Sequence, residues 1–188
     1  MKKEKQRIIH EAALKVFSEK GFERSTVDDI AEVAGIAKGT IYYNFKSKQE
    51  LFLAIIDDGI DKMADRMEKI IDNPGDVRQK LEKIIEVQLN FFEEYKSYCK
   101  VLLSEVLWSL EDRWQAEAEK IRQQLFGPVE KVVANGIEQG KLSPELSPKT
   151  ISSALFGMTV VTGFNYFLFE KDYSPENVKK DLQELFLK

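Results

Sequence analysis

The sequence has 188 residues, of which 43% are hydrophobic, and a chain of this length can bury one or two cores without metals or disulfides. Its single cysteine, Cys99, excludes an intramolecular disulfide, and residues 1–17 lack the apolar segment of a signal peptide, so we expect a cytoplasmic protein. The net charge of −4 argues against a nonspecific polyanion binder. Because the prolines and glycines fall between helically periodic stretches, the sequence predicts an all-α fold.

The first two helices are predicted from apolar periodicity and capping residues. Residues 4–20 place their apolar side chains on one face, and Gly21 ends that helix. Thr26 and Asp29 have the spacing of a capping pair, so a second helix begins there. Gly35 ends the second helix, since glycine adopts positive φ at little cost.

A short third helix is predicted over residues 38–45, directly after this turn, with Ile41 and Phe45 buried. Ser47 and Glu50 form a capping box that opens the next helix. Two short helices joined by a tight turn are typical of a helix-turn-helix, whose second helix enters the DNA major groove.

The charge distribution supports DNA binding by this segment. Residues 33–49 contain no carboxylate but include Lys38, Lys46 and Lys48. Residues 1–50 have 10 Lys+Arg and 8 Asp+Glu, a net charge of +2, and the remaining residues have 18 and 24, a net charge of −6. The alternative explanation is an amphipathic helix with a solvated fringe of lysines.

The run T-x-x-x-I-A-x-x-A-G-I-A-K-G-T-I-Y-Y-N-F-K-S-K-Q-E-L, from Thr26 to Leu51, resembles the DNA-binding domain of the tetracycline-repressor (TetR) family of bacterial regulators. The resemblance covers about the first quarter of the chain. Family members commonly have a histidine where this chain has Asn44, which departs from that pattern but keeps a polar group at the position. The resemblance implies an amino-terminal three-helix helix-turn-helix domain followed by a helical-bundle ligand-binding and dimerisation domain.

We predict eight DNA-contacting residues in this segment. Phosphate contacts position the protein, whereas contacts to base edges carry sequence preference. The predicted phosphate contacts are Thr26, Tyr43 and Lys48, and the residues predicted nearer the base edges are Lys38, Thr40, Tyr42 and Asn44, with Gly39 beside them.

The predicted domains are residues 1–47, which bind DNA, and residues 48–188, which bind ligand and dimerise. The helix over residues 48–72 is amphipathic throughout, ends at Asn73-Pro74-Gly75, and connects the two. Asp76 is expected to cap the following helix, and a dense apolar stretch over residues 96–110 predicts a helix in the middle of a bundle. Gly127-Pro128 is expected to kink or break the helix over residues 111–139.

The stretch over residues 150–169 has no charged residue. Its length would suffice for a membrane span, but its six hydroxyl and amide side chains and its soluble neighbours favour a helix covered by its own bundle and by a second subunit.

A last helix is predicted after Ser174-Pro175. In TetR relatives the two terminal helices pair with their symmetry mates, so we expect a homodimer and no membrane partner. The predicted interface residues are Ser153, Gly157, Val160, Gly163, Phe164, Phe167, Val178, Leu182 and Leu185.

The carboxy-terminal helices contain many aromatic side chains, and large rings on facing helices leave gaps that an apolar ligand can fill. An ordinary aromatic core explains any single residue equally well; the resemblance favours a pocket, because TetR relatives usually sense small molecules in this domain. The predicted ligand-binding residues are Gln88, Phe92, Tyr95, Cys99, Leu103, Trp108, Trp114, Phe126, Met158, Thr162, Asn165 and Tyr166.

The sequence offers no support for an enzyme, a metal site or a cofactor. The lone histidine, His10, has no nucleophile or metal-ligating residue at a suitable spacing, and the sequence contains no glycine-rich phosphate loop.

The sequence thus predicts a dimeric repressor that binds a pseudo-palindromic double-stranded DNA operator and is released by a small apolar or amphipathic ligand. A bulky drug, a bile-acid-like amphiphile and a fatty acyl thioester all suit an aromatic pocket. The alternative is a constitutive architectural DNA-binding protein without a small-molecule effector.

Overall fold

The computed structural model describes residues 2–107, 115–169 and 175–187, and in this part of the chain helices are joined by turns and loops with no β-strand, which confirms the all-α prediction. The described helices are α1 (Lys2–Lys20), α2 (Val27–Ala34), α3 (Lys38–Asn44), α4 (Lys48–Asp72), α5 (Val77–Glu94), α6 (Lys96–Leu102), a π-helical turn (Leu103–Leu107), α7 (Gln115–Glu138), α8 (Pro148–Phe169) and α9 (Pro175–Leu187). Among these helices, none combines the length and hydropathy needed to cross a bilayer.

The chain divides into two compact units. The first unit is Met1–Gly59 with Ser97–Gln115, and the second is Ile60–Lys96 with Ala116–Lys188. The division falls within α4, whose residues belong to both units. The helix-turn-helix therefore shares its unit with the first part of α4 and with the residues of α6 that follow Lys96.

The core of the first unit is built around three aromatic rings. The ring centroids of Phe17 and Phe52 are 5.3 Å apart, and those of Phe22 and Phe52 are 4.8 Å apart, both edge to face. Ile30 of α2 and Ile41 of α3 are buried. Edge-to-face pairs stabilise a core beyond their buried area, so α1 and α4 provide a fixed base for the two short helices.

The predicted helix ends of the helix-turn-helix are largely confirmed. The Thr26 side chain accepts a hydrogen bond from the backbone N–H of Asp29, and the Asp29 carboxylate accepts one from the backbone N–H of Thr26. Gly35 ends α2 with φ 64°. The Ser47 hydroxyl accepts from the N–H of Glu50, but the Glu50 carboxylate accepts from the N–H of Lys46, at 2.6 Å, instead of closing the box on Ser47.

In the second unit, α5 packs against α8 and α9. Gly163 of α8 permits this approach, because a Cβ at that position would be 3.2 Å from the Phe92 ring. The Gln183 amide of α9 donates to the carbonyl oxygen of Glu82 at 3.3 Å.

Three expectations about helices differ from the structure. Asp76 occupies the N-cap of α5, but its side chain makes no capping hydrogen bond. The dense apolar stretch is not one regular helix, since α6 changes to a π-helical turn at Leu103. α7 continues through Pro128, so the helix is not broken at that position. The Ser174 cap lies outside the described residues.

Candidate DNA-binding and ligand-binding sites

The outer face of α2 and α3 exposes large side chains. Tyr43 is 82% exposed, Tyr42 47% and Val33 45%, although tyrosine and valine commonly pack inside. Gly39 is exposed, and a Cβ there would meet nothing within 4 Å. This face has apolar and hydroxyl groups free for a partner such as the edges of DNA bases.

The predicted base-edge residues Lys38 and Asn44 already have partners within the unit. The Lys38 ammonium is 2.7 Å from an Asp28 carboxylate oxygen, and this hydrogen bond raises the pKa of Lys38. The Asn44 amide donates to the carbonyl oxygen of Thr40 at 2.8 Å. Both Lys38 and Asp28 are exposed, so the pair holds the start of α3 against α2 without removing either charge from water.

Thr26 serves first as the cap of α2. Its hydroxyl and backbone N–H both bind Asp29, whose carboxylate is also 2.7 Å from the Lys20 ammonium. The Lys20 hydrogen bond, followed by those from Thr26, lowers the pKa of Asp29 to about 2. The cap is therefore charged at every physiological pH, and it fixes the amino-terminal end of α2, where phosphate contacts are predicted.

Lys48 makes contacts that its predicted role did not include. Its ammonium donates to the carbonyl oxygens of Phe22 (2.6 Å), Ser25 (2.9 Å) and Glu23 (3.4 Å), and it lies 4.3 Å from the centre of the Phe22 ring. An ammonium has three donors, and three carbonyls receive them. Lys48 thus fastens the turn between α1 and α2 to the start of α4, and its predicted phosphate contact would require some of these bonds to break.

Lys48→Met is expected to lower the free energy of unfolding by about 1–3 kcal/mol, because hydrogen bonds from a charged donor are lost while the stem of the side chain is kept. We expect weaker operator binding with an unchanged salt slope, since the ammonium is directed at carbonyls. Urea unfolding and operator affinity at several salt concentrations measure the two quantities.

Lys46→Met is the matched control, because Lys46 is exposed in the same carboxylate-free segment. It should leave stability unchanged. A salt slope flatter by about one per subunit contact in Lys48→Met would support the phosphate contact instead.

Sequence reasoning missed Asp28 and Lys100 in this unit. Lys100 of α6 donates to the carbonyl oxygen of Ser18, at the end of α1, at 2.7 Å. The Tyr98 hydroxyl donates to the carbonyl oxygen of Ile56 in α4, also at 2.7 Å. The two residues of each pair are 82 and 42 positions apart in the sequence, so no local sequence pattern predicts these contacts.

The predicted ligand-binding residues are divided between the two units. Cys99 and Leu103 are buried in the first unit, and burial raises the pKa of the Cys99 thiol to about 12. In the second unit Gln88 and Phe92 are buried and Asn165 is exposed. The half-buried members in the second unit are Tyr95, Phe126, Met158, Thr162 and Tyr166. Trp108 and Trp114 lie outside the described residues.

Aromatic side chains of the second unit pack against one another and against a charged pair. The rings of Phe126 and Phe156 are 4.5 Å apart, joining α7 to α8. Tyr95 lies 4.6 Å from Phe91, and the Arg66 guanidinium stands 5.5 Å from each ring while pairing with Glu94 at 2.8 Å. A hydrogen bond with Glu94 raises the pKa of Tyr95. Tyr95 is thus covered by a charged pair.

Four predicted interface residues are buried within one chain: Val160, Gly163, Val178 and Leu182. They lie in the core of the second unit, where α8 and α9 pack on α5, so a second subunit would bury little more of their surface. Ser153 is exposed and Leu185 is 74% exposed; Gly157 and Phe164 are half-buried. The side chain of Phe167 lies outside the described part. The interface itself stays a prediction.

The second unit nevertheless has an uncovered apolar face. Val161 of α8 is 49% exposed, and a Cβ at Gly157, one turn earlier, would meet nothing within 4 Å. Together with the exposed Ser153 and Ala154, these residues form what we call the α8 face, and none of the four is charged. Leu185 of α9 is also exposed.

The described residues contain no group of three or more His, Cys, Asp or Glu that could hold a metal ion.

Two family models match the chain. The model of bacterial regulatory proteins of the TetR family matches residues 9–55, which include α2, α3 and most of α1. The model of the tetracyclin repressor-like C-terminal domain matches residues 74–163.

Relatives match over nearly the whole length. The fatty acid metabolism regulator protein of Bacillus subtilis (strain 168) is 26% identical over 183 residues, which cover 95% of this chain and 92% of the relative. A Clostridium perfringens protein provisionally described as a fatty acid metabolism regulator has a solved structure with 29% identity and a TM-score of 0.88, covering 96% of both chains. FadR from Bacillus subtilis, solved in complex with stearoyl-CoA, has 21% identity and a TM-score of 0.86 over 97% of both chains.

The helix-turn-helix, the helical second unit and the two consecutive family matches lead to one conclusion: the chain belongs to the TetR family of bacterial transcriptional regulators, and is a regulator with DNA-binding and ligand-binding parts, not an enzyme.

Proposed function

We propose that this protein is a homodimeric repressor that binds a pseudo-palindromic operator and is released by a long-chain fatty acyl thioester. The DNA-binding part of this proposal is supported mainly by the outer face of α3, where Tyr43 and Tyr42 are exposed on the second helix of a helix-turn-helix whose first helix is capped by Thr26 and ended by Gly35. A recognition helix of this kind enters one major groove, and a dimer places two of them about one helical turn apart.

The ligand class is supported by the interior of the second unit and by the relatives. α5 and α8 enclose buried rings and aliphatic chains, among them Phe92, Leu89 and Leu155, with one buried polar pair formed by Gln88 and Thr159. This composition suits an apolar chain carrying one neutral polar group. The stearoyl-CoA held by the Bacillus subtilis relative has such a chain and group. Of the three ligand classes that suit an aromatic pocket, the acyl thioester therefore has the most support.

Release requires that the ligand bind the DNA-incompetent state of the dimer more tightly than the DNA-bound state. By reciprocity, the operator must weaken ligand binding by the same factor, which is typically about 5–150-fold. A ligand that binds both states equally would stabilise the protein without regulating it.

The experiment is to select an operator from random double-stranded DNA and to measure its affinity with and without palmitoyl-CoA. We expect a palindromic site whose affinity falls about 5–150-fold with saturating palmitoyl-CoA, and free coenzyme A should have no effect. Palmitoyl-CoA affinity should fall by the same factor on the operator-bound dimer. Equal operator affinity with and without palmitoyl-CoA would contradict this ligand, and the absence of any stabilising small molecule in thermal-shift screens would favour a constitutive architectural protein.

A further inference from the structure

An ion pair between two exposed side chains joins the two helices of the helix-turn-helix. The Lys38 ammonium of α3 donates a hydrogen bond to the Asp28 carboxylate of α2 at 2.7 Å. The Lys38 side chain is 48% exposed and that of Asp28 is 69% exposed, so water surrounds the pair. Exposed pairs add little to the stability of a fold, so stability gives no strong reason for a carboxylate at this position.

Lys38 lies on the face of α3 that is predicted to meet DNA. It is the first residue of α3, and Tyr42, four residues later on the same side of the helix, is 47% exposed. Residues 33–49 contain no carboxylate, so the negative charge that pairs with Lys38 comes from α2. A cation of the predicted DNA-binding face is therefore already bound by a carboxylate before DNA arrives.

The three carboxylates of α2 are in different positions. Asp29 closes the capping box with Thr26. Glu32 is exposed and lies one turn after Asp28, on the same side of α2. Asp28 is the carboxylate of this helix that pairs with Lys38.

A phosphate and a base edge compete with Asp28 for the ammonium in different ways. A phosphate that takes the ammonium replaces one anion by another and leaves an unpaired carboxylate beside a polyanion. A guanine edge in the major groove presents two acceptors in a fixed geometry, so a lysine that reaches it gains directional hydrogen bonds. The exchange of partners is therefore favoured where the right base is present and disfavoured on other sequences.

We propose that Asp28 is a specificity-determining residue that keeps Lys38 paired on non-operator DNA and releases it to a base edge of the operator. Lys38 then adds to specific affinity without adding to nonspecific affinity. This inference rests on the operator binding of the proposed function and is independent of the ligand.

Asp28→Asn tests this role, because it removes the charge and keeps the shape of the side chain. Affinities for the selected operator and for a scrambled duplex of equal length are measured between about 50 and 200 mM salt. The scrambled duplex should bind about 3–10-fold more tightly at the lower salt concentration, with a salt slope steeper by about one per subunit, because the released Lys38 reaches a phosphate. The operator slope should stay the same, so the ratio of the two affinities should fall by about threefold or more.

Three further variants separate this effect from a simple change of charge. Glu32→Gln removes the same charge from the same side of α2 and should change both affinities by an equal factor. Asp28→Glu keeps the pair and should keep the wild-type ratio. In a Lys38→Met background, Asp28→Asn should no longer steepen the slope for the scrambled duplex. The melting temperature of Asp28→Asn should stay close to that of the wild type, because the pair is exposed.

An unchanged ratio of operator to scrambled affinity in Asp28→Asn would overturn the role of Asp28. A steeper slope that persists in the Lys38→Met background would also overturn it, since the effect would not act through Lys38. In both cases the operator is still bound, so the proposed function would stand. A wild-type protein that prefers no DNA sequence would overturn both.

Discussion

Gly157→Glu is expected to convert the proposed dimer to a monomer and to weaken operator binding by about 100-fold or more. The proposed interface is centred on the uncharged α8 face, where Val161 is exposed and Gly157 permits close approach. A glutamate there places a charge between two apolar surfaces, and its desolvation opposes association. Because two linked recognition helices gain about 10²–10⁴ in avidity over one, the monomer loses that factor.

The substitution is suited to this purpose because it should not disturb the folded chain. A Cβ at Gly157 meets nothing within 4 Å, whereas one at Gly163 would press on the Phe92 ring. Asn90→Glu, at an exposed position of α5, is the control for an added charge in the same unit. Sedimentation at micromolar concentration and operator titration give the two readouts. A wild-type monomer, or a Gly157→Glu dimer with full affinity, would refute the interface.

The parts of the fold that were predictable depend on residues close in sequence. The Thr26–Asp29 cap and the Gly35 turn are specified within four residues, because a capping side chain and a positive φ act on the local backbone. The same local character explains why the extent of α3 was predicted to within one residue. The helix-turn-helix was therefore identifiable from the sequence alone.

The role of Lys48 could not be predicted, because the carbonyls that it binds lie 23–26 positions earlier. A lysine at the start of a helix in a carboxylate-free segment has the pattern of a phosphate contact. Nothing local indicates that its three donors are already used. Only the packing of α1 against α4 brings the turn within reach.

Which face of α8 is buried also could not be predicted from the sequence. The helix is apolar on every side, so its periodicity does not indicate which face meets α5 and which stays uncovered. Val160 and Gly163 consequently were predicted for the subunit interface but lie in the core, whereas Val161, one residue away, is exposed. For helices that are apolar all round, the choice of face comes from tertiary packing.

Gly59→Ala is expected to destabilise the protein by about 1–3 kcal/mol, although alanine is the better helix former. In the middle of α4, replacing glycine by alanine would by itself add about 0.5–1 kcal/mol of stability. A Cβ at Gly59, however, would overlap the Tyr98 ring, with Cε1 only 2.7 Å away and Cζ and Cε2 nearer still. Tyr98 cannot easily move, because it is buried and its hydroxyl donates to Ile56. The overlap should therefore exceed the gain in propensity.

Urea unfolding of the DNA-free protein measures the effect, and a double-mutant cycle assigns it. Tyr98→Leu alone should be destabilising, since it loses the ring and the hydrogen bond to Ile56. Combined with Gly59→Ala, it should cost less than the sum of the two single variants, because the shorter side chain leaves room for the new methyl group. Gly39→Ala, at a helical glycine of the same unit with nothing within 4 Å, should be neutral or slightly stabilising. A Gly59→Ala protein as stable as the wild type, or strict additivity in the cycle, would show that the Tyr98 ring is not the reason why position 59 requires a glycine.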